Sequence, residues 1–465
     1  MGARSRTLDN RSDAVADRPH RILVAAPEVL GARRAGPAVR AWNFAAALAA
    51  DPIGHSVTLA ARLGSERPHA TSFAITELES AASEPFTASH DIVIVQGDLL
   101  SRFPALGTSA ATVVADLYDP FPLEVLEQTS MLEPDHQRRA VWAAGRALDA
   151  LLRRGDLFLC AGGRQRDFWL GALVALGRVN EATHAASPDL KSLLADVPFG
   201  VDDERPKHER RALRGVVPGI EARDTVLWWG GGLYAWLDPR TLLDAMARLV
   251  PGHPEVRLVF AGAKHPNPDV GVTATATAAR EHATRLGLLG RNVFFLDWVP
   301  YDERGSYLLE ADIIVSTHHE HLETAFSYRT RILDALWAAR PVVTTTGDAL
   351  GLEIHRRGAG IAVPAEDVGG LVGALTQLLD DPERRAACAA AAGRFGLEQR
   401  WSMIVAPLLQ FCRQPAQAPD RGDPRIGPMI MDPSAQPPNA AVGTRARRLI
   451  VRALRVLREG PRGRA

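Results

Sequence analysis

Residues 311–348 read ADIIVSTHHEHLETAFSYRTRILDALWAARPVVTTTGD. The apolar run Asp312 to Val315 is short and bounded by polar residues, which reads as a buried strand. Ile332, Leu333, Leu336 and Trp337 recur at helical spacing. Pro341-Val342-Val343-Thr344-Thr345-Thr346-Gly347-Asp348 is a second β-rich run. Strand, polar loop, helix and strand make one βαβ unit, so the chain is α/β with parallel strands. In such sheets ligands bind outside the carboxyl ends of the strands. The loop there carries His318, His319, His321, Glu320, Glu323, Arg329 and Arg331, and Asp334 follows in the helix. A solvated connection has no need of so many ionisable types, so this loop is the first candidate site.

Working outward, 465 residues imply two to three domains. The 46% hydrophobic and 23% charged fractions are those of a globular protein. Lys+Arg and Asp+Glu are both 54, so there is no global basic field and nucleic acid is not an expected partner. Three widely spaced Cys (Cys160, Cys388, Cys412) exclude a disulfide framework and fit a reducing cytoplasm. Met1 to Pro19 has no apolar h-region, so no secretory signal is expected. No apolar run reaches the roughly 18–20 residues of a membrane span.

The pattern divides the chain into a disordered tail (1–18), a first Rossmann-like domain (19–202), a linker (203–223), a second α/β domain (224–395) and a crossover helix (396–413). A Pro-rich disordered linker (414–442) and a basic amphipathic helix (443–465) follow. In the first domain, strands are expected at Arg21 to Ala26, His55 to Ala60, Asp91 to Val95, Thr112 to Ala115 and Asp156 to Cys160. A loop from Pro27 to Pro37, holding Arg33, Arg34 and Gly36, precedes a helix from about Pro37 to Ala50 that opens on a Pro. The first turn lacks GxGxxG, so an NAD-type site there is unsupported. In the second domain, strands are expected at Thr225 to Trp229, Val256 to Phe260, Val293 to Leu296 and Gly360 to Val363, beside the two already quoted. The chain thus reads as two doubly wound α/β halves joined by a linker. In the tail, apolar and Arg faces separate over 443–458, as in helices that lie on anionic membranes; a solvated helix or a partner-docking helix has the same pattern.

A ligand bearing a diphosphate needs backbone N–H groups, a helix N-terminus or cations. Gly230-Gly231-Gly232 after a strand allows close backbone approach. Lys264 stands out because Lys191, Lys207 and Lys264 are the only lysines. Arg329 and Arg331 open the helix beginning near Ser327 and point to different faces, one to the ligand and one to brace Asp334 or Glu323. Glu323 is placed to accept sugar hydroxyls. His318, His319 and His321 lack a matched Cys or Asp pattern, so no metal is expected.

The second half resembles the nucleotide-sugar domain of GT-B glycosyltransferases of the family 4-like, bacterial group 1 type. The resemblance rests on Trp229-Gly230-Gly231-Gly232, Phe260-Ala261-Gly262, Leu286-Gly287-Leu288 and Val293-Phe294-Phe295-Leu296-Asp297-Trp298-Val299-Pro300. It continues in Ala311-Asp312, Asp334-Ala335-Leu336-Trp337-Ala338-Ala339-Arg340-Pro341-Val342-Val343 and Gly360-Ile361-Ala362-Val363. Val197-Pro198-Phe199-Gly200-Val201-Asp202 looks like the family's junction between domains. The resemblance covers about residues 20–412 and is specific in the second half, looser in the first. It implies two Rossmann-like domains facing a cleft, and a retaining enzyme that moves a sugar from a nucleoside-diphosphate sugar to an acceptor, with no bound metal or other cofactor. The stretch Glu323 to Arg331 looks like a variant from a bacterial subgroup that builds surface polysaccharides, which implies a sugar or lipid-linked acceptor.

Two departures stand out. The family has an Arg and a Lys after the first strand of this domain, whereas Gly231 to Asp238 holds neither; Lys264, Arg304 or Arg329 would substitute. Aligned on Pro341, Asp334 takes the second of the family's paired Glu positions and Phe326 the first, unless a shifted loop lets Glu323 serve. The resulting expectations are Glu323, Asp334 and Asp119 for catalysis, and Gly231, Gly232, Lys264, Arg304, Arg329 and Arg331 for the donor. Gly36, Arg40, Asp98, Asp116 and Gln165 are expected on the acceptor side. The alternatives are a nucleotide-sugar epimerase of GT-B shape and a non-catalytic partner of another transferase. The expected location is the cytoplasm, with the tail helix on the inner face of the cell membrane.

Overall fold

The structure is a computed structural model, and it describes residues 17–64, 72–267 and 271–426. The first domain has seven strands: β1 (Arg21–Leu30), β2 (Ser56–Leu63), β3 (Ala74–Glu77), β4 (Ile92–Gln96), β5 (Thr112–Asp116), β6 (Leu157–Cys160) and β7 (Leu194–Asp196). The second has six: β8 (Thr225–Gly230), β9 (Val256–Ala261), β10 (Val293–Leu296), β11 (Ile313–Ser316), β12 (Val342–Thr345) and β13 (Gly360–Val363). The sheet orders are β3-β2-β1-β4-β5-β6-β7 and β10-β9-β8-β11-β12-β13. The paired strands run parallel, as β1 does with β2 and β4, and β8 with β9 and β11. Strand order reverses between β1 and β4 and again between β8 and β11, so each sheet has a switch point where its strand-end loops diverge.

The strands are continuous apolar runs because helices cover both faces. Ile92 to Val95, Val226 to Trp229 and Ile313 to Val315 are all buried. Helix Gly36–Ala49 starts with a Pro in its first turn and buries Ala38, Ala41, Phe44, Ala45 and Leu48 on one stripe. Helix Pro239–Leu249 is capped by Asp238, whose side chain accepts from the Thr241 N–H at 3.0 Å.

Three sequence expectations change. First, β1 runs to Leu30 instead of stopping at Ala26, with a pairing shift against β2 between Ala25 and Val29. Pro27 sits in that irregular stretch, where a missing N–H costs no ladder bond. Second, no single helix begins near Ser327; there are two, Leu322–Phe326 and Thr330–Trp337. The break falls where the Phe326 carbonyl turns to Gln165 of the first domain, at 2.9 Å, instead of to its own helix. Third, the start of the supposed disordered linker, residues 414–426, is a strap on the first domain. The Ala418 N–H meets Asp156 at 3.0 Å, and Asp420 accepts from Arg178 at 2.8 and 3.0 Å, both side chains being buried. The rest of the Pro-rich stretch and the basic helix over 443–458 lie outside the described residues, as do residues 1–16 of the first tail.

The chain crosses between domains twice, at Val201 and at Gln399 to Trp401. The Val201 N–H donates to Gln399 O at 2.8 Å, and the Trp401 N–H to Val201 O at 3.0 Å. A Cβ at Gly200 would lie 2.7 Å from the Trp401 ring, so the two crossings pack without room for a side chain.

Candidate active site

The carboxyl ends of the two sheets face a cleft of about 200 Å³. Its walls include Arg34 and Gly36 from the loop after β1, Gly230 to Gly232 after β8, Trp298 to Tyr301 after β10, and Arg331 and Asp334 on helix Thr330–Trp337. The glycine turn is required by packing. Gly231 has φ +80°, and a Cβ on Gly262 after β9 would lie 2.6 Å from the Gly231 carbonyl carbon. Two strand-end loops therefore touch backbone to backbone, and the cleft reaches the main chain itself.

Arg331 lies across this turn. One guanidinium NH2 group donates to Gly232 O at 3.0 Å, and the group sits 5.1 Å over the Trp229 ring. Its other terminal nitrogen is buried without a hydrogen-bond partner. Burial, with Arg329 close by, pulls the Arg331 pKa down to about 10. A buried cation with a spare donor is stabilised by an anion.

Arg329 has the opposite surroundings. Its two terminal nitrogens donate to the two oxygens of Glu323 at 2.9 and 2.7 Å, and Glu323 also accepts from Ser327. Glu323 has 0% exposure. The expectation that Glu323 presents free oxygens to sugar hydroxyls is therefore corrected: both face inward, consumed by Arg329. Arg329 is the bracing arginine and Arg331 the cleft-facing one. Glu323 is fixed by its helix, whose N-terminus is capped by the His321 ring on the Thr324 N–H at 3.3 Å.

Asp334 faces the cleft with Arg304 beside it, Nε to Oδ1 3.4 Å, and burial raises its pKa. Arg304 is held by Asp202 at 2.6 Å and so serves the wall of the cleft. Lys264 is exposed and does not line the cleft, which corrects its placement on the donor: the loop after β9 turns its side chain to solvent. Of the expected donor cations, Arg331 and Arg304 reach the cleft, and Lys264 and Arg329 do not.

On the first domain, Gly36 lines the cleft. Arg40 and Asp116 do not; they form a fully buried ion pair at 2.6 Å beneath it. Gln165 is also buried and bridges the domains, donating to Tyr118 O at 2.6 Å and Phe326 O at 2.9 Å. Asp98 sits outside the cleft lining near Arg102, 3.5 Å away. The acceptor-side expectations for Arg40, Asp98, Asp116 and Gln165 are corrected accordingly: Arg40, Asp116 and Gln165 are spent on structure, and Asp98 lies part-exposed outside the cleft. Asp119, expected for catalysis, is half-buried after β5 and is likewise not among the residues that line the cleft. Burial first, then the Glu323 and Asp116 carboxylates, raise its pKa to about 6, while Glu124 hydrogen-bonds to it. Glu124 is raised further, by burial and by Asp119.

Glu124, Arg34 and Tyr301 were missed as site residues in the sequence. Arg34 was visible as one of two adjacent arginines in the loop after the first strand, but nothing local shows that it turns into the cleft. The three histidines part company. His318 is fully buried and its pKa is driven well down by burial and Arg329. His319 meets Glu366 at 3.3 Å, and His321 caps its helix. Among the described residues, no group of three or more His, Cys, Asp or Glu is placed to hold a metal ion.

Residues 223–381 match the family model of glycosyl transferases group 1. That match falls within the second domain, which is similar to group 1 glycosyl transferases. Among curated proteins, the chain is similar to the D-inositol 3-phosphate glycosyltransferase of Corynebacterium urealyticum, 26% identical over 242 residues, covering 50% of this chain and 54% of that protein. The chain thus spans about half the length of the curated relatives it matches. The solved trehalose-6-phosphate synthase OtsA superposes with TM-score 0.62 at 14% identity, covering 85% of this chain and 100% of that one. Anabaena HepE, solved in complex with UDP-glucose, superposes with TM-score 0.58 at 16% identity, covering 84% and 98%. These likenesses show the fold, which is GT-B: two Rossmann-like domains over one cleft. The glycine turn, Arg331 and Asp334 all fall within the residues so matched.

Proposed function

We propose that this protein transfers a glycosyl group from a nucleoside-diphosphate sugar to an acceptor held by the first domain, with retention of configuration. The observation that carries this is the spare buried N–H of Arg331 beside the glycine turn at the β8/β11 switch point. When the bond between the anomeric carbon and the diphosphate breaks, negative charge grows on the leaving oxygen. Arg331 and the N-terminus of helix Thr330–Trp337 stabilise that charge, and being pre-placed they need no reorganisation. Arg331 takes over from the cations that Gly231 to Asp238 lacks. Asp334 faces the nucleoside side of the same wall. Asp119, with Glu124, stands on the acceptor side, where a carboxyl titrating near neutrality suits proton transfer with the incoming hydroxyl. HepE holds UDP-glucose on the same fold, which supports a nucleotide-sugar donor.

The resemblance of the Glu323 to Arg331 stretch supports an acceptor from the synthesis of a cell-surface polysaccharide or glycoconjugate. The free, buried thiols of Cys160, Cys388 and Cys412 fit a reducing compartment. Among the described residues no helix is long and apolar enough to cross a membrane. A peripheral contact through the Arg-rich face of 443–458 fits the chemistry of an anionic lipid surface.

A thermal-shift panel of nucleoside diphosphates and nucleotide sugars, followed by calorimetry and product analysis, tests the reading. At least one nucleoside diphosphate should stabilise the chain, and Arg331→Ala should reduce the shift at the same ligand concentration. A panel with no stabilising member would overturn the transferase reading. Sugar isomerised with donor alone would replace it with an epimerase. For the tail, removing 427–465 should weaken sedimentation with vesicles containing phosphatidylglycerol; unchanged sedimentation would remove the membrane contact.

A further inference from the structure

A second cavity, of about 240 Å³, opens beside the crossing between the domains. Leu309 and Leu336 give it an apolar floor, where helix Thr330–Trp337 ends against helix Pro382–Glu398. Ala339 closes that helix end at φ +50°, a left-handed conformation that usually falls to Gly. A Cβ on Gly393 of the facing helix would lie 3.0 Å from the Ala339 methyl, so the methyl fits only because Gly393 has none. Trp337 lines both this cavity and the cleft. It is fixed as a partition between them: its indole N–H donates to Glu204 O at 2.6 Å, and the Arg304 guanidinium lies 4.2 Å from its ring on the cleft side.

The rim of the cavity carries Asp202, Asp203, Glu204, Arg205 and Arg400. Its carboxylates are engaged elsewhere: Asp202 with Arg304 at 2.6 Å, Asp203 with Ser402, and Glu204 with Lys207 at 3.0 Å. The two arginines are not. Among the described residues, neither the Arg205 nor the Arg400 guanidinium has a hydrogen-bond or ion-pair partner. Arg400 is half-buried, and its backbone is pinned by a bridge to Val201 at the crossing. A guanidinium held in place without a counter-charge is stabilised by an oxyanion, which its planar fork takes through two parallel N–H bonds. Two such groups above an apolar floor fit a small molecule with a phosphate or carboxylate on a short apolar stem.

We propose that this cavity is a second ligand site, for a phosphate or carboxylate on an apolar stem, and that its occupant tunes the cleft through helix Thr330–Trp337. That helix presents Arg331 and Asp334 to the cleft and Leu336 and Trp337 to the cavity. An occupant packed on Trp337 acts on the Arg304 stacked against it, and Arg304 stands 3.4 Å from Asp334. Coupling between two sites is reciprocal, so either ligand reports it. The site stands on its own geometry; only its effect on nucleotide binding rests on the function proposed above.

The test uses the full chain and phenyl phosphate as probe, with phenol and inorganic phosphate as its two halves. Calorimetry should show phenyl phosphate binding more tightly than either half. Arg205→Ala and Arg400→Ala should each weaken it by about tenfold or more, the worth of one charge-assisted bond. Arg331→Ala, in the cleft, should bind it as the parent does. Arg205 is exposed, so its removal leaves the fold intact, and melting midpoints check this for both rim variants. No binding, parent-like affinity in both rim variants, or loss in Arg331→Ala would each overturn the site. UDP and GDP are then titrated with and without phenyl phosphate. The affinity of whichever binds should change by about fivefold or more in the parent, the low end of coupling between sites, and stay unchanged in Arg400→Ala at the same probe concentration. An unchanged affinity in the parent overturns the coupling alone. Phenyl phosphate bound at the rim while neither nucleotide binds overturns the donor reading and leaves the site standing.

Discussion

The two domains each build an arginine–carboxylate node below the cleft, and the nodes differ in how complete they are. In the first domain Arg40 spends its donors on Asp116, at 2.6 and 2.9 Å, and on the carbonyls of Val197 and Pro198, both at 2.7 Å. Gln96 adds a bond to Asp116 at 3.0 Å, and the guanidinium is flanked by Phe44 and Tyr118. In the second domain Arg329 is locked on Glu323, but around it Arg329 Nε, Arg331 NH1, Asp348 Oδ2 and His318 Nδ1 are buried without hydrogen-bond partners. The first node holds the fold, since both Asp116 oxygens and all three Arg40 nitrogens are paired, although Gln96 Oε1 beside them is buried without a partner. An open node leaves capacity for a ligand, and here it lies beside the glycine turn. Ionisable residues at strand ends thus say little about function until their partners are counted.

The largest effect should come from breaking the first node. Arg40→Ala strands Asp116 in the interior and should cost about 3–5 kcal/mol of unfolding free energy, the usual loss when one partner of a buried pair is removed. Urea denaturation reads this directly, and a loss under about 1 kcal/mol would mean the node is not structural.

A comparable, somewhat smaller loss should separate two truncations. Removing 414–465 takes Asp420 from Arg178 and should cost about 3 kcal/mol, whereas removing 427–465 leaves the strap in place and should leave the melting midpoint unchanged. Equal midpoints for the two would show that the strap contributes nothing.

Next comes the open node. Arg331→Ala should weaken nucleoside-diphosphate binding by about ten- to a hundredfold, the worth of a hydrogen bond to a charged group at roughly 1.5–3 kcal/mol, with little change in stability. Arg329→Ala should do the reverse, losing stability because Glu323 is left buried and unpaired. Lys264→Ala, out in solvent, should bind as the parent does. Calorimetry and melting on the three variants together check the assignment; identical profiles for Arg329→Ala and Arg331→Ala would erase the distinction between bracing and binding.

The smallest effect concerns pH. Asp119 titrates at about 6 in the folded chain against 3.8 for an ordinary Asp. A raised carboxyl binds its proton more tightly when folded, so its stabilisation is full below about pH 3.8 and is lost as pH rises through about 6. Stability should therefore fall across that window, and Asp119→Asn should flatten the fall, though only in part because Glu124 is raised as well. Denaturation at a series of pH values checks this, and an unflattened slope would remove Asp119 from the titrating pair.

Much of the architecture was legible because it is local. The apolar runs Thr225 to Trp229 and Ile313 to Val315 are strands wherever they fall in space, and Pro37 opens its helix by its own geometry. β3 and β7 were not read, since Ala74–Glu77 and Leu194–Asp196 are too short and too mixed to carry a period. Glu323 was singled out for its position in a strand-end loop, and it is in that loop. What its oxygens do depends on Arg329, which the helix break at Ser327 swings back onto it.

By itself, the sequence determined the α/β class, the two doubly wound halves, the crossing near Val201 and the segment in which a site must lie. Each of these follows from residue type and spacing within a few turns of chain. The tertiary structure decided which charges are spent and which are free. Arg40 meets Asp116 across 76 residues, Gln165 meets Phe326 across 161, and Arg331 meets Gly232 across 99. Those meetings are set by the strand order at the two switch points and by the packing of one domain on the other. A side chain's charge is written in the sequence, but its availability depends on neighbours that only the folded chain brings within hydrogen-bond distance.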